Sequence, residues 1–133
     1  MTNKKLGNDF ESELCKMLAK EGFWVHNFTQ NQAGQPADII AVKNEMAFLI
    51  DAKVCSDNKF SLSRIEENQH LAMNLWYKCG NGHGWFAFKV DDDIYFLPHG
   101  LLTSLDKTNK TLTKGYMMLN GISFREWVKT CEY

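Results

Sequence analysis

Two apolar runs split by three polar residues constrain this chain more than any other feature. Ile39-Ile40-Ala41-Val42 and Met46-Ala47-Phe48-Leu49-Ile50 flank Lys43-Asn44-Glu45. Short β-branched and aromatic runs broken by a polar turn predict a β-hairpin. A turn centred between Asn44 and Glu45 pairs Val42 with Ala47 and Ile39 with Ile50. Asp38 then faces Asp51 across the ladder, with Cβ atoms about 4.5–5.5 Å apart. Two carboxylates at about 5 Å repel by roughly 3 kcal/mol at an effective dielectric of about 20. A strand ladder gains no stability from that placement. A divalent cation removes the repulsion and turns the pair into a ligand set. Lys53 is two residues past Asp51 and projects from the same face. Two acids and one ammonium on one face suit metal-assisted attack on a phosphodiester. The alternative is a surface ion-pair cluster of little energetic weight. The apolar runs that embed the trio favour chemistry.

The chain has 133 residues, the length of one domain spanning 1–133. Its apolar share of 44% supports a real core. No run approaches the roughly 20 apolar residues of a membrane span. Met1 to Leu6 lacks the apolar stretch of a secretory signal. Cys15, Cys55, Cys79 and Cys131 form no CxxC pair, which favours free thiols in a reducing cytoplasm. The formal net charge of −1 does not advertise the basic surface of a nucleic-acid binder. A reading that involves DNA therefore rests on particular residues.

There are no repeats or low-complexity stretches. Phe10, Leu14, Met17 and Leu18 recur at helical spacing, predicting a helix over Asn8–Glu21. Gly22 suits its C′ position. Phe23–Phe28 reads as the first strand. Thr29–Ala37, with Gly34 and Pro36, reads as a loop before the hairpin. Ser63 is the expected N-cap of a second helix reaching about Lys78, with Glu66 completing a capping box. Its apolar face is Ile65, Ala72, Met73 and Trp76. Trp85–Val90 and Ile94–Leu97 form a second hairpin about Asp91-Asp92-Asp93. A short helix starts near His99, and Ser123 caps a last one. Asp106–Gly121 shows no readable pattern. The order helix, three strands, helix, two strands, helix predicts an α/β chain: a mixed sheet flanked by helices.

Several residues outside the hairpin are candidates for the same site. Glu11 lies on the flank of the first helix's apolar stripe and can reach whatever that helix packs on. The alternative is a solvated first-turn acid favoured by the helix dipole. Gln69 falls within the second helix's apolar face, where a buried amide needs partners. It either serves a metal's water or a phosphate, or is a satisfied core amide. Ser61, Ser63 and Arg64 open the second helix and suit phosphate contacts, alongside an ordinary capping role. His26, His70, His83 and His99 show no metal spacing and read as structural or surface. Gly80, Gly82 and Gly84 precede a strand and lack a phosphate-loop pattern. Asp91-Asp92-Asp93 reads as a solvated turn.

Residues Gly7 to Lys53 resemble the PD-(D/E)XK nuclease superfamily, and within it the Holliday-junction resolvases. GNDFESELCKMLAKEGFWV is similar to the resolvase opening helix, with an early acid and a Gly-Phe before the first strand. PADIIAVKNEMAFLIDAK resembles the core motif: Pro-Asp, a hydrophobic hairpin, then Asp/Glu-X-Lys. An alanine separates Pro36 from Asp38, and Asp51 stands where resolvases usually carry Glu. FSLSRIEENQ is similar to the segment after the core in RecU-type resolvases, where a Gln belongs to the active-site neighbourhood.

The resemblance implies a restriction-endonuclease-like core. It implies that Asp38, Asp51 and the Ala52 carbonyl ligate Mg²⁺, with Mn²⁺ as a substitute. Glu11 is an additional ligand or holds a water on the metal. Lys53 orients or deprotonates the attacking water, and Gln69 supports the water or the backbone. The implied activity is endonucleolytic hydrolysis of branched DNA, such as a four-way junction, during recombination or repair. The products are a 5′-phosphate and a 3′-hydroxyl. The implied protein is a homodimer without a membrane partner, in a bacterial cytoplasm or phage-encoded. Rival readings are a nuclease of the same fold acting on flaps, nicks or linear duplex, and a non-catalytic DNA-binding module.

Overall fold

The computed structural model describes residues 3–28, 37–105 and 110–132. Helix α1 spans Asn3–Lys20 and β1 spans Trp24–Asn27. The hairpin strands are β2, Ile39–Lys43, and β3, Met46–Val54. A short β4, Lys59–Ser61, and a 3-10 turn, Leu62–Arg64, precede α2, Glu67–Trp76. Then come β5, Trp85–Val90, β6, Asp93–Pro98, and α3, His99–Thr103. The chain continues through β7, Thr111–Thr113, α4, Lys114–Asn120, β8, Ile122–Ser123, and α5, Phe124–Thr130.

Six strands form one sheet in the order β1-β2-β3-β5-β6-β8. Only β3 and β5 run parallel, so α2 lies in the crossover between them. The other pairs are antiparallel. β4 and β7 form a separate two-stranded ribbon. The hairpin register is the one the sequence predicts, with Ile39 opposite Ile50 and Lys43 opposite Met46. Asn44 and Glu45 both adopt positive φ, at 54° and 65°. That is the two-residue turn whose twist matches a hairpin. The Asn44 amide also donates to the Cys131 carbonyl at 3.0 Å, fastening the turn to the end of α5.

The strands alternate their side chains between two cores. Ile39, Ala41, Ile50 and Ala52 meet Phe10, Leu14 and Leu18 of α1 and Trp127 of α5. Leu49, Phe86, Phe88 and Leu97 meet Leu62, Ile65, Met73, Leu102 and Met117 on the other side. Trp127 stacks on Phe96 at 4.4 Å and on Phe23 at 5.6 Å, closing the first core. Gly22, at φ 95°, ends α1. The Phe23 N–H returns to Leu18 O and the Gly22 N–H to Ala19 O, so the last carbonyls are satisfied.

Several boundaries differ from the sequence reading. α1 starts five residues early, because a Lys5–Asp9 pair at 3.5 Å supports another turn. β1 is Trp24–Asn27, one residue shorter at each end than expected. α2 is not capped by Ser63. Leu62 and Ile65 are buried, and the Leu62 N–H bonds the Lys110 carbonyl, which draws this segment into the ribbon. Ser61 and Ser63 bond each other at 2.8 Å instead of opening a helix. Glu66 occupies the N-cap position, and its N–H donates to Gln69 Oε1 at 3.2 Å. α2 ends at Trp76 in a π-type turn, Tyr77–Asn81. The expected loop with Gly34 and Pro36 lies, for residues 29–36, outside the described residues.

Candidate active site

Three elements converge beside the open end of the β2–β3 hairpin. The hairpin contributes Asp38, Asp51 and Lys53, α1 contributes Glu11, and α2 contributes Gln69. Asp38 is fixed along its whole length. Its N–H donates to Ile50 O at 3.2 Å and its carbonyl accepts from the Phe28 N–H at 2.8 Å. Its Oδ2 accepts from the Ala52 N–H at 2.9 Å. These bonds clasp Asp38 to the residues on both sides of Asp51, as the register requires.

Asp51 is fully buried, at 0% exposure. Its Oδ1 accepts from Gln69 Nε2 at 3.2 Å. Its Oδ2 lies 3.0 Å from Lys53 Nζ. That ion pair gives Oδ2 a charged partner at hydrogen-bonding distance.

Glu11 is buried beside this pair. Burial, then the charge of Asp38 and a hydrogen bond with it, push the Glu11 carboxyl up to about 8. Asp51 adds to that push and Lys53 opposes it. Burial and then Asp38 push Asp51 up to about 8 as well, against the pull of Lys53. The cluster therefore holds more carboxylate than its one ammonium can neutralise. Near neutral pH it keeps at least one proton unless a further cation arrives.

A divalent metal fits these residues. The Asp51 carboxylate, the adjacent Asp38 and the backbone carbonyl of Ala52 offer hard oxygen donors. Among the described residues, no three carboxylate, imidazole or thiol groups form a ready-made cluster. Mg²⁺ does not need one, because it keeps several waters and binds through one or two carboxylates plus substrate phosphate.

Four of the expected site side chains, Asp38, Asp51, Lys53 and Gln69, are linked directly, and Glu11 joins through Asp38. Ser61, Ser63 and Arg64 are not at a helix N-terminus; they lie on β4 and the 3-10 turn. Cys15 was not anticipated as a neighbour. Burial first, then Glu11 and Asp38, push its thiol up to about 11. Its position four residues after Glu11 on α1 was the available signal. Of the four histidines, His26 and His83 are exposed, His70 is half-buried and His99 is buried. His99 is buried and hydrogen-bonds His70 at 2.8 Å, while His83 stacks on Tyr77 at 4.9 Å.

A mixed sheet with this acid–acid–lysine cluster on its hairpin defines a nuclease core of the PD-(D/E)XK class. The family model for the archaeal Holliday junction resolvase (Hjc) matches residues 2–133, and the chain belongs to that family. Its members are junction-cleaving endodeoxyribonucleases of recombination, and nucleases of this family generally use divalent metal ions. Branched DNA is the substrate of the family. Among solved structures, Hjc of Archaeoglobus fulgidus has a TM-score of 0.69 with this chain. It shares 20% identity, and the match covers 92% of this chain and 95% of that one. At this identity the likeness speaks for the fold. No curated protein matches the sequence significantly. Family and solved relative are archaeal, which gives no support to the bacterial or phage setting expected from the sequence. No described helix is long and apolar enough to cross a membrane.

Proposed function

We propose that this chain is a Mg²⁺-dependent resolvase, a single nuclease domain over residues 1–133 that cuts four-way DNA junctions in the cytoplasm. The observation that carries the reading is Asp51. It is a fully buried carboxylate beside a second acid, Asp38, with Lys53 as its paired cation. Asp38, Asp51 and the Ala52 carbonyl hold the metal, and Glu11 holds a further ligand position or a water. When bound, Mg²⁺ (or Mn²⁺) supplies Lewis-acid stabilisation of charge on the phosphate.

The chain's own residues do the rest. Asp51 fixes the Lys53 ammonium at 3.0 Å. Lys53 thereby orients the attacking water and offsets phosphate charge. Gln69 holds Asp51 Oδ1 and so leaves Oδ2 to face the metal. Water adds to phosphorus in line, the bond to the 3′-oxygen breaks, and a 5′-phosphate and a 3′-hydroxyl remain. One chain carries one such cluster, whereas resolution requires two symmetric cuts. A two-fold homodimer supplies both.

The test uses a labelled four-way junction and a matched linear duplex, with and without Mg²⁺, and the Asp51→Asn variant. Paired metal-dependent nicks confined to the junction, and absent in the variant, are expected. Equal cutting of both DNAs would remove the branch preference and leave a nuclease of flaps, nicks or duplex. Tight junction binding without cutting would make the chain a non-catalytic binding module.

A further inference from the structure

Two grooves meet at Leu6, Val54 and Cys55, just past the site. They differ sharply in charge. The first, of about 430 Å³, runs from Ala52 and Lys53 past Ser56 to Arg64 and contains no carboxylate. The second, of about 570 Å³, is lined by Asp9, Glu13, Asp57 and Asp91. Its one ammonium, Lys89, is already paired with Glu13 at 3.0 Å.

Arg64 is built for its place. Its guanidinium centre lies 4.7 Å from the centroid of the Phe60 ring. Phe60 is buried and packs on Phe88 at 5.1 Å, so the platform is anchored in the core. Stacking occupies the face of the guanidinium and leaves its N–H edges for an oxyanion. Among the described residues no carboxylate pairs with Arg64. Its charge is felt by Cys55, whose thiol is pushed up by burial and pulled back by Arg64. The Arg64 cation therefore stands beside the groove wall, prealigned and unspent. Gly7 on the opposite wall has nothing near its Cα that a side chain would meet, which leaves room for a strand.

We infer that the Lys53–Arg64 groove carries the scissile DNA strand on one side of the cut, with Arg64 gripping the phosphate beside the scissile one. This rests on the nuclease reading above. In the second groove Asp9, Glu13 and Asp91 are paired with Lys5, Lys89 and Lys114, and Asp57 adds a further acid, so that groove offers a phosphodiester no unspent cation, whereas the first offers Arg64. Arg64 is thus a positioning residue for the substrate backbone, and the pair of grooves sets the strand's path.

The test replaces single phosphates of the scissile strand with neutral methylphosphonates. Binding is measured without metal and cleavage with Mg²⁺, for the wild type, Arg64→Gln, Arg64→Lys and Asp57→Asn. Arg64→Gln should weaken junction binding about tenfold and reduce the salt slope by about one. One methylphosphonate next to the cut should cost the wild type a similar factor and cost Arg64→Gln nothing more. Arg64→Lys should recover only part, because an ammonium lacks the stacked fork. Asp57→Asn, at a positive-φ position that asparagine also accepts, should bind at least as tightly as the wild type. An unchanged interference pattern in Arg64→Gln, or a loss in Asp57→Asn matching it, would overturn the inference. Loss of wild-type cleavage with the interference intact would instead sink the nuclease reading and keep the groove.

Discussion

The β2–β3 and β5–β6 hairpins belong to one sheet, and both carry aspartates. In the first, Asp51 is fully buried, Asp38 is clasped beside it, and one ammonium, Lys53, pairs with Asp51. In the second, Asp91, Asp92 and Asp93 are all exposed at the turn. Lys114 Nζ lies 2.9 Å from Asp91 and 3.3 Å from Asp93. The hydrogen bonds Lys114 donates to those two acids raise its ammonium's hold on its proton. Acid density is therefore no guide to chemistry. What distinguishes the first hairpin is burial without enough cation, which a proton or a bound metal must make good. Water and salt screen the second.

The comparison breaks most visibly on paired substitutions. Asp51→Asn should lower junction cleavage by about 10³-fold or more while junction binding persists. Asp91→Asn should leave cleavage unchanged in the same gel assay. Equal losses would mean that the buried hairpin holds no privileged chemistry.

A smaller effect appears in the metal-free protein. The carboxyls of Glu11 and Asp51 are held near 8 in the fold, well above the ordinary value of about 4 in an unfolded chain. The folded state then binds more protons than the unfolded state between those values. Its stability is greatest below pH about 4 for these groups and falls as pH rises towards 8. Thermal melts from pH 5.5 to 9 without metal should show Tm declining, and Asp51→Asn should flatten the decline. Adding Mg²⁺ should raise Tm most at the alkaline end, because protons must leave before the metal binds.

Gln69→Ala sharpens the same contrast. It frees Asp51 Oδ1 without removing any charge. A loss of about 10–100-fold in cleavage is expected, with junction affinity kept. Lys114→Gln marks the lower bound. Cleavage and Tm should both stay at wild-type values, since its partners remain hydrated.

The hairpin was legible because strand pairing has a strict period. Once the turn was centred on Asn44 and Glu45, Asp38 and Asp51 had to meet. α1's stripe and the Ser123 cap, whose hydroxyl accepts from the Glu126 N–H at 3.2 Å, were local signals of the same kind. The start of α2 is not legible locally, because Ser63-x-x-Glu66 satisfies a capping pattern by itself while the helix begins at Glu67. The preference of Leu62 and Ile65 for the core, and the pairing of β4 with β7, overrule it. That pairing joins Lys59 to Thr113 across more than fifty positions, which no local window reveals. Likewise the Phe60 platform under Arg64 exists only once the ribbon forms. Glu11 could be suspected but not assigned, since its reach depends on how α1 packs against the sheet.

The Gln69 amide is committed at both ends. Its oxygen completes the first turn of α2 by accepting from the Glu66 N–H, and its nitrogen grips Asp51. One side chain thus serves as a structural fastener and as a safety catch. A chain that has not yet wound the opening of α2 has no hold on Asp51 Oδ1. On the proposed assignment of Asp51, the nascent or frayed protein is then a disarmed cutter. The blade is set by the same hydrogen bonds that certify the helix as finished.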